Sequence, residues 1–327
     1  VFNFKFFKIM QLPQFFTPFK RVKRDAAWCC IAVCESGVFF VQVKHTETQI
    51  QVIKCEFFPI TPCTSSALAK IFKAQRLELI HFTTLLAPEE YQILMVDAPN
   101  VPKDELKLAI RYFIKDSLDY PVEEAVVDVL LIPDATSLEI RSRSVYAIAA
   151  SSETIQKSIN LFENAGIDLS VIDIPEMALR NIAALYELGE RGLIMLTFNQ
   201  RGGLLVFTCN GEMYLSRRIE ITFGQLQDAN EQHRRQYFDH VELEVQRSLD
   251  YFDRQFHQIS LSCILMLAPD GIDLSKQLED SLGYQVDVLD LTQVMDISAA
   301  PELLDREFLS EALLPLGAAL RQNRHIL

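Results

Sequence analysis

Residues 27–44, AWCCIAVCESGVFFVQVK, place an apolar, β-branched run before Glu35-Ser36-Gly37 and a second such run after it. Two strand-like runs split by turn residues read as a β-hairpin. A third strand follows at 48–54, where Ile50, Val52 and Lys54 alternate with Gln49, Gln51 and Ile53. The same theme returns 166 residues on: runs at 193–198 and 203–208 are turned by Gln200-Arg201-Gly202-Gly203, and a strand at 212–219 follows the Asn210-Gly211 turn.

Each hairpin unit is followed by alternating helices and strands. After the first, Ser65 or Ser66 caps a helix over 67–75, and 93–97 (ILMVD) reads as a buried strand. Pro102, Asp104 and Glu105 open a helix with Leu106, Ile110, Phe113 and Ile114 on one face. Tyr120-Pro121 ends it, because a residue before proline avoids the helical region. Strands at 126–132 and 144–150, a helix at 153–164 capped by Gly166, a strand at 168–173 and a helix from Pro175 to Leu188 complete this half. After the second unit come a helix over 230–257, a strand at 261–267, a helix at 273–282, a strand at 285–290 and a helix at 308–322. The duplication predicts an α/β fold of two similar lobes facing a cleft.

Composition bounds the function. The chain has 327 residues, 49% apolar and 23% charged, enough for sizeable cores. The net charge is −13; residues 1–24 contribute +6 with no acidic residue, so the remainder carries −19. Such an acidic body repels phosphate backbones, and nucleic acid is not expected as a partner. Seven cysteines with no C-x-x-C spacing read as reduced thiols, and six histidines without an i, i+4 pair give no metal site. No run approaches the roughly 20 apolar residues that span a bilayer, and the first residues lack a secretory layout, so a cytoplasmic protein is expected. Phenylalanines at 2, 4, 6, 7, 15, 16 and 19 interleave with Lys5, Lys8, Lys20, Arg21, Lys23 and Arg24. This tail reads either as a peripheral membrane contact or as a frayed extension upstream of Met10.

Four strings resemble the PilM family of type IV pilus assembly proteins. They are Tyr120-Pro121-Val122-Glu123-Glu124 running into Val127-Asp128, Ala165-Gly166-Ile167 through Pro175-Glu176 to Asn181, Glu244-Val245-Gln246-Arg247-Ser248-Leu249-Asp250-Tyr251-Phe252, and Leu316-Gly317-Ala318-Ala319-Leu320-Arg321. They stand in the family's order, and within the family they are most similar to the MshI-type proteins of mannose-sensitive haemagglutinin (MSHA) pili. The resemblance implies an actin/FtsA-like fold with ribonuclease H-like lobes around a nucleotide cleft. Its expected domains are a basic aromatic tail at 1–25, a first lobe at 26–89 and 151–189, an inserted small α/β subdomain at 90–150, and a second lobe at 190–327. It implies a cytoplasmic scaffold that binds the N-terminal tail of a PilN-like single-pass inner-membrane protein and links the pilus platform and motor.

In actin-like ATPases each hairpin carries a D-x-G signature whose glycine admits phosphate and whose carboxylate serves Mg²⁺. Here the acid positions fall on Ala32 and Thr197, the glycine positions on Cys34 and Asn199, and the adenosine turn on Ala268-Pro269-Asp270-Gly271. Vestigial cleft positions are Ser36, Gly37, Gly202, Gly203, Glu244, Arg247 and Ser248. Glu35 reads as a solvated turn residue, and Asp128, Asp173 and Glu176 as capping or solvated acids. No catalytic residue, no metal ligand and no cofactor are expected, with ATP and Mg²⁺ disfavoured. The alternatives are an active PilM-like ATPase and an FtsA-like filament former anchored by the tail.

Overall fold

The apolar runs of both hairpin units become strands. The computed structural model describes residues 2–3, 27–75, 80–133 and 144–321. The basic aromatic tail of 1–25 lies outside them, apart from the backbone of the two-residue strand β1 (Phe2–Asn3). Next come β2 (Ala27–Cys34), β3 (Gly37–His45), β4 (Ile50–Phe58), α1 (Ser65–Ala74) and β5 (Ile80–Leu85). The small insertion holds β6 (Tyr91–Asp97), α2 (Lys103–Phe113), β7 (Ala125–Leu131) and β8 (Ser144–Ser151). After it come α3 (Ser152–Asn164), β9 (Leu169–Asp173) and α4 (Pro175–Ala183). The second half contains β10 (Gly192–Asn199), β11 (Gly202–Cys209), β12 (Glu212–Ile219), α5 (Phe223–Leu226), α6 (Glu231–Gln255), β13 (Leu261–Leu267), α7 (Leu274–Leu282), β14 (Val286–Val288), β15 (Met295–Asp296) and α8 (Arg306–Ala319).

Two sheets repeat one design. In the first, the order is β1-β9-β5-β2-β3-β4-β15; in the second, β12-β11-β10-β13-β14. Each opening strand pairs antiparallel with the next and parallel with a strand beyond a helix, β2 with β5 and β10 with β13. The two-lobed α/β architecture expected from the duplication, with the small insertion that the resemblance implies, is therefore the one observed.

The insertion is a three-stranded sheet, β6-β8-β7, whose alternation serves two cores. Val145, Ala147 and Ala149 cluster with Ile110 of α2 and Ile114 just past its end, whereas Tyr146, Ile148 and Ala150 pack into the main core. A strand's two-residue period makes such two-sided burial possible.

The helices start where the sequence supplies caps. Thr64, one residue ahead of the expected serines, accepts the Ala67 amide and caps α1; Ser151 caps α3 and Asn230 caps α6. Two helices end early against expectation, α2 at Phe113 and α4 at Ala183.

β5 is a strand that alternation did not reveal, because His81, Thr83 and Thr84 interrupt its apolar character. It is central all the same, and Thr84 satisfies its buried hydroxyl by donating to the Ile31 carbonyl at 2.8 Å.

The last segment of the expected second lobe over 190–327 makes contacts with the first sheet. β15 pairs parallel with β4, and α8 packs against β2, β3 and β5, so the last segment returns to the first sheet. Conversely α4, which follows β9, packs on β10, β11 and β12. The two helices cross where a Cβ on Gly317 would lie 2.2 Å from the Ala178 carbonyl. Only glycine permits that approach, and the exchange of helices joins both lobes into one hydrophobic core.

Candidate functional site

The β2–β3 and β10–β11 hairpins bring their turns together. Arg201 at the second tip reaches Glu35 of the first at 3.6 Å and Glu89, just before β6, at 3.0 Å. Beside it the Gln200 amide donates to Glu311 of α8 at 2.7 Å, and the Arg201 amide to the Asn199 side chain at 2.8 Å. Burial pushes the Glu311 carboxyl up, opposed by the Gln200 amide and the Arg201 charge. Glu35 is otherwise 90% exposed, as a turn residue should be.

The glycines at the tips have packing reasons. A Cβ on Gly37 would lie 2.1 Å from the Phe58 carbonyl; on Gly202, 2.8 Å from the Ile219 carbonyl; on Gly203, 2.8 Å from the Phe198 ring. Ser36 sits 3.4 Å from the Cys34 sulfur. Ala32 and Thr197, the positions at which the sequence resemblance implies acids, are both buried, and the Thr197 hydroxyl has no hydrogen-bond partner. Asp270 of the later turn is held by Arg306 at 3.3 Å. Among the described residues, no group of three or more His, Cys, Asp or Glu is placed to hold a metal ion.

Glu244, Arg247 and Ser248 do meet on one face of α6. Glu244 bridges Arg247 at 2.7 Å and Arg217 of β12 at 3.0 Å; these hydrogen bonds outweigh desolvation and hold its carboxyl below the usual range. Ser248 is buried and donates to the Glu244 carbonyl at 2.6 Å. They form an ion-pair cluster beside β12.

Asp173 and Glu176 are buried, contrary to the solvated role expected of them. Asp173 accepts from Arg321 at 2.7 Å and from the Ile174 amide at 2.9 Å. Burial alone would raise its pKa, but surrounding positive charge, Arg321 and Arg180 included, and the amide bond lower it to about 2. Glu176 takes a hydrogen bond from the Tyr91 hydroxyl and pairs with Arg218 at 2.9 Å. Arg218 also donates to the Pro88 carbonyl at 2.8 Å and lies over the Tyr91 ring. Asp128 is likewise buried, paired with Lys107 at 2.5 Å.

Through Glu176 and Arg218, Tyr91 ties the small subdomain to β12. Tyr146 donates to the Tyr214 carbonyl at 2.9 Å, and Tyr251 of α6 reaches the Met95 sulfur at 3.4 Å. Between them lies a cavity of about 240 Å³ lined by Ile93, Met95, Tyr146, Leu215, Arg217 and Tyr251. Sequence reading missed Glu89, Glu311, Tyr91 and Arg218, because none belongs to a local motif; their partners are 42 to 112 residues away.

No protein-family model and no curated protein matches the chain. Solved structures do. A chain of a PilM–PilN type IV pilus biogenesis complex aligns over 92% of this chain and 98% of its own, at 19% identity and a TM-score of 0.70. The cytoplasmic domain of EpsL, an inner-membrane component of the type II secretion system of Vibrio cholerae, aligns over 91% and 96%, at 11% identity and a TM-score of 0.47. A Bacteroides thetaiotaomicron protein described as having an actin-like ATPase fold aligns over 86% and 97%, at 10% and 0.43. The first of these likenesses, with the doubled sheet order and the crossed helices, establishes the fold as the one that PilM–PilN complex chain has: an α/β chain of two lobes with a small inserted subdomain.

Proposed function

We propose that this chain is a scaffold of a type IV pilus inner-membrane assembly platform, binding the cytoplasmic tail of a PilN-like single-pass membrane protein without hydrolysing ATP. The observation that carries the reading is the likeness to a chain of a PilM–PilN complex, which runs through both lobes and the insertion. Resemblance of the four sequence strings to MshI-type proteins supports an MSHA-type system in particular. None of the described helices is long and apolar enough to cross a membrane. Attachment at the cytoplasmic face of the inner membrane would then come through the partner.

The cleft supports the non-enzymatic part. The residues at the hairpin tips do not fit Mg-ATP: the positions that would serve the metal are Ala32 and Thr197, which carry no charge. Arg201, the one cation at the tips among the described residues, is engaged by Glu35 and Glu89, with Glu311 beside them. Three carboxylates at that point repel a triphosphate rather than hold it. On this reading the docking groove lies between the small subdomain and the first lobe, where an extended peptide adds to a strand edge or fills apolar pockets. The insertion leaves the first sheet after β5 and returns through α3 to β9, so it hangs from the β9 end of that sheet.

The test is capture of purified protein on immobilised cytoplasmic tails of PilN-like proteins, with and without Mg-ATP. Equal capture in both conditions is expected. Capture only with ATP would overturn the scaffold reading in favour of a nucleotide-dependent machine.

A further inference from the structure

The small sheet has an open side. Its order is β6-β8-β7, so each outer strand keeps one row of backbone groups that no described strand pairs. β7 protects its edge, because it carries the buried charge of Asp128 and packs against α3. β6 has no such protection. All seven of its residues, Tyr91–Asp97, pair with β8 without a break; none is a lysine or proline, and its one charged residue, Asp97, stands at the end. Gln92–Val96 are half-buried, whereas Val145–Ala150 of β8 are buried throughout. A regular edge strand without a bulge or blocking residue accepts a further extended chain.

The edge runs beside the cavity of about 240 Å³, with Ile93 and Met95 lining its β6 side and Arg217 and Tyr251 the side of the second lobe. Sites for small molecules enclose about 300–1,000 Å³, so this one is sized for a side chain. A strand added to β6 would lie about 4.8 Å from it, and every second side chain would project on the face of Ile93 and Met95, over the cavity.

Charge selects the occupant. Glu244 pairs with Arg217 at 3.0 Å and with Arg247 at 2.7 Å. Two guanidiniums share one carboxylate, which leaves +1 at this face of a chain whose net charge is −13. Each arginine gives Glu244 only its Nη1, and a guanidinium has further donors for a second carboxylate. Among the described residues, none that lines the cavity is acidic.

We propose that the β6 edge and this cavity form a second peptide site, which takes an extended acidic segment of a partner protein. The segment pairs with β6, places one aromatic or large aliphatic side chain in the cavity, and sets a carboxylate two residues along against Arg217 and Arg247. Backbone pairing supplies affinity and the pocket supplies specificity. The site faces β12 and α6 rather than the first lobe, so it is separate from the groove assigned above to a PilN-like tail and does not rest on that reading.

The probe is a blocked synthetic peptide, Thr-Val-Thr-Phe-Thr-Asp-Thr-Val-Thr, fluorescently labelled and titrated onto the full chain. Binding should slow exchange of the Tyr91–Asp97 amides by about threefold or more. Replacing the peptide's aspartate by lysine should weaken binding about tenfold or more. Alternate peptide amides face β6, so N-methylating one alternate set should abolish binding and N-methylating the other should leave it within about twofold. The Arg247 side chain is 59% exposed, so Arg247→Ala cancels the extra charge without emptying the core. It should weaken the aspartate peptide about fivefold and leave an asparagine version unchanged. Equal binding of the aspartate and lysine peptides, protection only outside β6, or equal loss from both methylated sets overturns the proposal, as does no binding at millimolar peptide.

Discussion

Asp173 is fully buried, yet surrounding positive charge, Arg321 and Arg180 included, and the Ile174 amide keep its carboxyl ionised. Its folded pKa of about 2 lies below the ordinary value of 3.8, so its contribution to stability is complete above about pH 4 and is lost as the pH falls towards 2. The shift corresponds to about 2 kcal/mol. Asp173→Asn leaves Arg321 without its counter-charge and should cost about 3–5 kcal/mol at pH 7 in urea unfolding. It should also flatten the acid limb of the stability curve between pH 4 and 2. Arg201 makes a contrasting case, since its partners Glu35 and Glu89 are 90% and 65% exposed. Arg201→Ala should change unfolding free energy by less than about 1 kcal/mol and leave capture by the partner tail unaltered. The sequence showed both residues but not the difference between them. Arg321 is 148 positions from Asp173, a separation over which no local pattern speaks.

At the scale of elements, the crossing of α4 and α8 decides how the lobes join. Gly317→Ala places a methyl against the Ala178 backbone, which no rotamer change can relieve. The helices must separate, and a loss of about 1–3 kcal/mol or more is expected by thermal or urea unfolding. The contact between the small sheet and β12 is gentler. Tyr146→Phe deletes the hydroxyl that bonds the Tyr214 carbonyl and should cost about 1 kcal/mol, read as faster exchange of the β6 and β8 amides. Hairpins and capped helices were legible because their signals lie within a few residues of each other. β5 was not, because its apolar pattern is broken by residues such as Thr84, whose hydroxyl is satisfied by a neighbouring strand 53 positions away.

Across the whole molecule, one core runs through both lobes, whereas the inner face of α2 with Val129, Val145, Ala147 and Ala149 forms a separate, smaller one. Calorimetry should therefore show the lobes melting in a single cooperative transition. Amides of α2 and β7 should exchange at lower protection than those of β10 and β11, in a sub-global opening of the insertion. Were the two lobes to melt separately, the shared core would not be the energetic unit described here. By itself the sequence determined the paired hairpin units, the helix–strand alternation behind each, the charge contrast between tail and body, and the uncharged residues at positions 32 and 197. These are properties of residue type and short-range period. Only the tertiary structure decided that α8 and β15 return to the first sheet, that Arg201 is shared by Glu35 and Glu89, that Asp173 and Glu176 are buried with arginine partners, and that the β9 edge is covered by Phe2–Asn3. Each of these joins segments far apart in the chain, and such contacts arise from how apolar faces find one another rather than from anything written within a single stretch.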